Sequence, residues 1–80
     1  MSSQGKGADK LVYMANQIGK FFVSQDPAKA ADGVRAHIVK FWAPRMRSAI
    51  LAHLDQGGVG LDPAPRQAIE DLRAAVRKSA

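Results

Sequence analysis

Apolar side chains recur along this chain at intervals of three and four residues, the spacing of one face of an α-helix. Four such series occur, and no segment alternates apolar and polar residues for long enough to predict a β-strand. The pattern predicts an all-α fold, a small bundle of about four short helices. The expected inward positions are Leu11, Met14, Ala15, Ile18, Phe21 and Phe22; Ala30, Ala31, Val34, Ile38 and Phe41; Met46, Ile50, Leu51 and Leu54; and Ile69, Leu72 and Val76.

Three aspartates stand where helices are expected to begin. Asp9 is predicted to cap the first helix, since its carboxylate can accept from free amides of the first turn, and this helix should end near Ser24. Asp26-Pro27 and Asp62-Pro63 each pair a capping residue with a proline at the first helical position. The chain is therefore expected to comprise a flexible N-terminal arm, residues 1–8, and a single helical domain, residues 9–78.

One proline and one glycine predict where the middle helices end. Pro44 disfavours a helical conformation at Ala43, so the second helix should stop near Trp42 and the third should start at Pro44. Gly57 is suited to the left-handed conformation that commonly ends a helix. The fourth helix is expected to run to about Arg77.

Length and cysteine content limit the possible functions. Eighty residues form one domain with a small core, and the absence of cysteine excludes disulfides, thiolate metal sites and cysteine nucleophiles within the chain. No apolar run approaches the roughly 20 residues needed to span a bilayer. The polar N-terminus shows no secretory signal, so a cytoplasmic location is expected.

The positive charge is concentrated in the middle of the chain. The formal net charge is +5, and no acidic residue lies between Gly33 and Leu54. That segment contains four cations: Arg35, Lys40, Arg45 and Arg47. Such a distribution suits an acidic protein partner, a nucleic acid or an acidic membrane surface.

The adjacent aromatics Phe41 and Trp42 are candidates for a docking surface. On a helix, neighbouring residues point about 100° apart, so both cannot face the centre of one small core. One interpretation places both at the rim of a broad apolar face. The favoured one places Phe41 in the core and Trp42 in a partner, with Arg45 and the following residues beside the indole, because Trp and Arg dominate many interfaces.

The glycine-rich segment Gly57-Gly58-Val59-Gly60 resembles a phosphate loop only superficially. It lacks the Gly-Lys-Ser/Thr step, no strand precedes it, and Asp62 would repel a phosphate. A cap followed by a tight reversal, or by close contact with another backbone, explains the glycines better. His37 and His53 lack the further ligands that a metal site needs, so neither metal ligands nor catalytic residues are predicted.

Four sequence segments carry a resemblance to a known family: Met14–Ile18, Phe21-Phe22, His37–Arg47 and Gly57–Pro63. Together they resemble the small delta subunit of the cytoplasmic NAD-dependent, molybdenum-containing formate dehydrogenases, over about residues 11–72. The resemblance implies a non-catalytic accessory subunit that assembles with and stabilises a larger complex. In such a complex other subunits hold the molybdenum cofactor, iron–sulfur clusters and FMN and use NAD, so this chain is expected to bind no cofactor.

The expected partners are the other formate dehydrogenase subunits, above all the large molybdenum-containing one. The residues predicted to bind them are Phe41, Trp42, Pro44, Arg45, Met46, Arg47, Gly57, Gly58, Gly60 and Leu61. The alternative is a small basic nucleic-acid-binding module. Its candidate recognition helix, after Pro44, offers Ser48 and few other groups able to read base edges.

Overall fold

The computed structural model describes the backbone of residues 3–79 and the side chains of residues 8–78. Within this range the chain forms four α-helices, one short 3-10 helix and no β-strand, which confirms the predicted all-α fold. Helix α1 spans Ser3–Gln25, and the 3-10 turn occupies Pro27–Lys29. Helices α2, α3 and α4 span Ala30–Phe41, Pro44–Asp55 and Pro63–Ser79.

Helix α1 begins earlier than predicted. It starts at Ser3, so Asp9 lies inside the helix and the prediction that it caps the first turn is wrong. Residues 3–8 contain two glycines but no proline; glycine weakens a helix by about 1 kcal/mol without ending it. Residues 3–8 of the predicted arm are thus helical, while Met1 and Ser2 lie outside the described residues. The mobility of this arm stays a prediction.

Asp26 was predicted to cap the second helix, and it caps the 3-10 turn Pro27–Lys29 that leads into that helix, whereas α2 itself starts at Ala30 without a side-chain cap. Oδ1 of Asp26 accepts from the backbone N–H of Ala28 at 3.1 Å, and Pro27 takes the first helical position. The first turn after this cap is a 3-10 turn, which continues directly into α2. A tight turn of this kind lets α2 fold back beside α1.

The third helix ends in a Schellman motif, which confirms the predicted glycine reversal. The N–H of Gly57 bonds to Leu54 O at 2.9 Å, and the N–H of Gly58 bonds to His53 O at 3.0 Å. Gly57 and Gly58 have φ of 118° and 63°, in the region that favours glycine. The chain then turns into α4, where Asp62 O accepts the first helical bond, from Arg66 N at 2.9 Å.

A single apolar cluster holds the four helices together. Its buried members are Leu11, Val12, Ala15, Val34, Ile38, Trp42, Ile50, Leu51, Ala68, Ile69 and Leu72. Helix α4 packs across α2 and also contacts α1 and α3. Three predicted inward positions, Phe21, Phe41 and Val76, are exposed instead. Phe21 lies at the edge of the α1 stripe, Phe41 at the end of α2 and Val76 in the last turns of α4.

Two glycines allow the helices to approach closely. A Cβ on Gly19 of α1 would lie 2.7 Å from Cδ of Pro65 in α4, and a Cβ on Gly33 of α2 would collide with the ring of Phe22. An ion pair between Arg73 and Asp55 further links α4 to the end of α3. These contacts hold α1, α2, α4 and the end of α3 close together.

Candidate docking surface

The connection between α2 and α3, here called the corner (residues 41–47), is built around a buried tryptophan. Helix α2 ends at Phe41, and Trp42 adopts an extended backbone with ψ of 140° while its N–H still bonds to Ile38 O at 3.0 Å. This change of backbone direction turns the indole back into the core, where only 5% of Trp42 remains exposed. Pro44 then starts α3, as predicted.

The prediction that Phe41 lies in the core and Trp42 outside it is wrong, because the structure buries Trp42 and exposes Phe41. Phe41 is 65% exposed although it follows Val34 and Ile38 along the core-facing stripe. Helix α2 ends at Phe41, and the extended backbone at Trp42 turns the indole, rather than the Phe41 ring, into the core. The ring of His37 lies 4.8 Å from the Phe41 ring, and Nζ of Lys40 lies 5.5 Å from its centroid.

The basic residues of the corner have different roles. Arg47 folds back and donates to Trp42 O at 2.6 Å, so it serves the corner itself. Arg45 and Lys40 are exposed, and no acidic residue lies near them in sequence. Arg35 is half-buried, 3.9 Å from Asp32. The exposed cations of this region are therefore Lys40, which lies against the Phe41 ring, and Arg45, four residues after Phe41 in the sequence.

The loop between α3 and α4, here called the glycine loop (residues 57–60), is held by side chains from neighbouring helices. Nη1 of Arg66 in α4 donates to Gly57 O at 3.1 Å and to Gly58 O at 3.3 Å. Nε2 of His53 in α3 lies 2.8 Å from Val59 O; a carbonyl can only accept, so this nitrogen donates. Two helices thus bind the first three carbonyls of the loop.

The fourth carbonyl is bound by Asn16 of α1, a residue that sequence reasoning missed. Its Nδ2 donates to Gly60 O at 2.9 Å, and its Oδ1 accepts from the N–H of Asp62, also at 2.9 Å. One amide side chain thereby joins the middle of α1 to the end of the loop. The available signal was a polar residue flanked in the helical register by Val12 and Gly19, both of which are buried.

The remaining predicted partner-binding residues divide between the surface and the core. Pro44 is exposed at the first turn of α3. Met46 and Leu61 are half-buried and pack against the apolar cluster, and Gly58 is buried beside Arg66. The structure thus places the predicted set at two separate connections rather than in one patch.

A groove lies on a third part of the surface. Its volume is about 680 Å³, and its walls are mainly apolar. Lys20 and Asp62 lie across its rim, 3.9 Å apart. The groove is lined by Gly19, Val23, Ser24, Pro27, Ala28, Ala31, Pro63, Ala64 and Pro65 as well as by that ion pair.

The side chains of this chain do not supply the thiolate ligands of an iron–sulfur cluster. Iron–sulfur clusters are held by thiolates, and the sequence contains no cysteine. Among the described residues, no three His, Asp or Glu side chains converge on one point. Of the two histidines, His53 binds the glycine loop and His37 packs on Phe41.

The helices of this chain and its similarity to a known family bear on the class of protein to which it belongs. Among the helices of residues 3–79, none combines the length and the apolar content that crossing a bilayer requires. The family model described as the NADH-dependent formate dehydrogenase delta subunit, FdsD, matches residues 10–69, which include Asn16, the corner and the glycine loop. No curated protein and no solved structure matches the chain at a significant level.

Proposed function

Because this chain belongs to the FdsD family, the delta subunits of NADH-dependent formate dehydrogenase, we propose that it is a non-catalytic accessory subunit. It binds other subunits of that complex in the cytoplasm and stabilises their assembly. The large molybdenum-containing subunit is the proposed contact. Formate oxidation, and the molybdenum, iron–sulfur, FMN and NAD chemistry that it requires, then belong to the partners.

The observation that carries this proposal is the exposure of Phe41. An aromatic ring in register with the core stripe, yet 65% exposed, is apolar surface that the chain itself does not cover. Nζ of Lys40 lies 5.5 Å from the ring centroid and the exposed Arg45 follows four residues later in the sequence, while no acidic residue lies between residues 33 and 54. An apolar pocket with an acidic rim on the partner would complement this surface.

The size of the core supports dependence on a partner. A domain of 80 residues buries only roughly 60–65% of its unfolded surface, and this one has no disulfide to compensate. A partner that binds only the folded chain shifts the folding equilibrium by mass action, and the same linkage stabilises the partner. We therefore expect the isolated chain to be helical but to unfold at low urea concentration.

Removal of the chain tests the accessory role. Deleting it should lower the yield or lifetime of the intact complex, while NAD reduction by formate, normalised to bound molybdenum and iron, stays near normal. A partner that binds ground state and transition state equally cannot change the chemical step. A large loss of turnover in fully loaded complex would show that the chain shapes the active site, against the proposal.

A matched pair of substitutions tests the surface itself. Phe41→Ser should weaken binding to delta-free complex by at least about tenfold, the loss typical of an interface anchor, whereas Tyr13→Ser should not. Tyr13 is the control because it is as exposed as Phe41 but lies on the outer face of α1. Equal affinities of the two variants would remove Phe41 from the interface.

The family assignment favours this role over the nucleic-acid-binding module. Electrophoretic mobility shift with duplex DNA distinguishes the two. We expect weak binding at most, since the exposed cations would contact only phosphates. Tight binding with a steep salt dependence would instead favour the module.

A further inference from the structure

We propose that the glycine loop is a second, preformed docking element, whose tip residue Val59 enters a narrow apolar pocket with a carboxylate at its rim on a partner subunit. The inference rests on the proposed function, because it assumes that the chain assembles with other formate dehydrogenase subunits. It concerns a surface separate from Phe41, at the opposite end of α3 from the corner.

The glycine loop is held rigidly by its neighbours. All four of its consecutive carbonyls accept hydrogen bonds from side chains of three different helices, at 2.8–3.3 Å. Each loop carbonyl is thus bonded within the domain, to Arg66, His53 or Asn16. A loop fixed from α1, α3 and α4 at once has little conformational freedom to lose when it binds, which lowers the entropic cost of association.

The tip residue of the loop, Val59, lies largely outside the fold. Val59 is 77% exposed, more than any other large apolar side chain among the described residues. The backbone N–H groups of Val59 and Gly60 make no hydrogen bond within the described part of the chain. The loop carbonyls therefore bond to the helices, while the Val59 side chain and the backbone N–H groups of Val59 and Gly60 remain available to a partner.

These leftover groups define the chemistry of the occupant. A β-branched side chain on a stiff loop fits a narrow apolar pocket, and two neighbouring amides suit a single anionic acceptor. Asp55 and Asp62 flank the segment 56–61, and unpaired they would repel a carboxylate. The nearest acids are each paired with a cation, namely Asp55 with Arg73, Asp62 with Lys20 and Glu70 with Arg66.

The position of Val59 separates binding from folding. Its side chain contributes almost nothing to the core, so replacing it leaves the apolar cluster intact. Asn16, by contrast, is a positioning residue: it does not reach the proposed pocket and acts only through Gly60 and Asp62. The direct test therefore uses Val59.

The experiment measures binding of the full chain to purified formate dehydrogenase complex that lacks it. Val59→Ser should weaken binding about tenfold, the value of one buried valine, with unchanged urea unfolding. The matched control is Val76→Ser, an exposed valine on α4 that should bind as the wild type does. If both variants bind equally well, the loop is not a docking element and the inference fails.

Amide hydrogen exchange supplies a readout that does not depend on substitution. In the free chain, the Val59 and Gly60 amides should exchange at rates near those of an unstructured peptide, because neither is bonded. In the complex, both should slow by at least about tenfold. Unchanged rates in a complex that has formed would overturn the inference, whereas failure of the wild-type chain to bind at all would overturn the proposed function itself.

Discussion

The corner and the glycine loop solve the same problem, a reversal between two helices, by different physical means. The corner is fixed by burial: Trp42 fills the core, and a single Arg47 bond holds the carbonyl behind it. The glycine loop buries no large side chain and is fixed by hydrogen bonds from α1, α3 and α4 instead. Both leave one apolar side chain outside, Phe41 at the corner and Val59 in the loop.

In both connections, the groups that stabilise the domain are different from the groups that are available for recognition. At the corner, the buried Trp42 provides stability and the adjacent, exposed Phe41 is available for recognition. In the glycine loop, the backbone carbonyls provide stability through their hydrogen bonds, and the exposed side chain of Val59 is available for recognition. Substitutions of the inner groups should therefore affect folding, and substitutions of the outer groups should affect binding.

The largest expected effect comes from the inner residue of the corner. Trp42→Ala removes a buried indole and should destabilise the fold by about 3–5 kcal/mol, enough to unfold a domain of this size. Phe41→Ala should change stability by less than about 0.5 kcal/mol, since the ring is exposed. Urea unfolding followed by circular dichroism measures both; a folded Trp42→Ala variant would mean that the corner does not depend on burial.

A smaller loss is expected at the clamp of the glycine loop. Asn16→Ala deletes two hydrogen bonds and should cost about 2 kcal/mol in stability. It should also speed amide exchange at Asp62, whose N–H loses its acceptor. Gln17→Ala, at the exposed neighbouring position, is the control and should have no measurable effect. Equal stability of the two variants would show that the loop is held without α1.

The smallest effect should separate the two arginines of the corner. Arg47→Ala removes the bond to Trp42 O and should lower the free energy of unfolding by about 1 kcal/mol. Arg45→Ala should leave stability unchanged and weaken binding to the complex, because its side chain is exposed. The opposite result, in which Arg45 stabilises the free chain, would contradict the assigned roles.

Local signals in the sequence predicted the helices and most of their ends. Asp26-Pro27, Pro44 and Gly57 act through backbone geometry and nearby hydrogen bonds, so their effects are decided within a few residues. Asp9 is the exception. Its side chain is suited to a cap, but the residues before it are compatible with helix and nothing ends the helix there.

Local sequence patterns were enough to predict the all-α fold, the reversals and the presence of apolar and basic groups near the corner. Which aromatic is buried depends on the packing of the helices, because the extended backbone at Trp42 turns the indole, rather than the Phe41 ring, into the core. Tertiary structure also decided the role of Asn16, whose partners lie 44 and 46 residues away in sequence. Helical periodicity describes one element at a time, whereas burial and long-range hydrogen bonds exist only between elements.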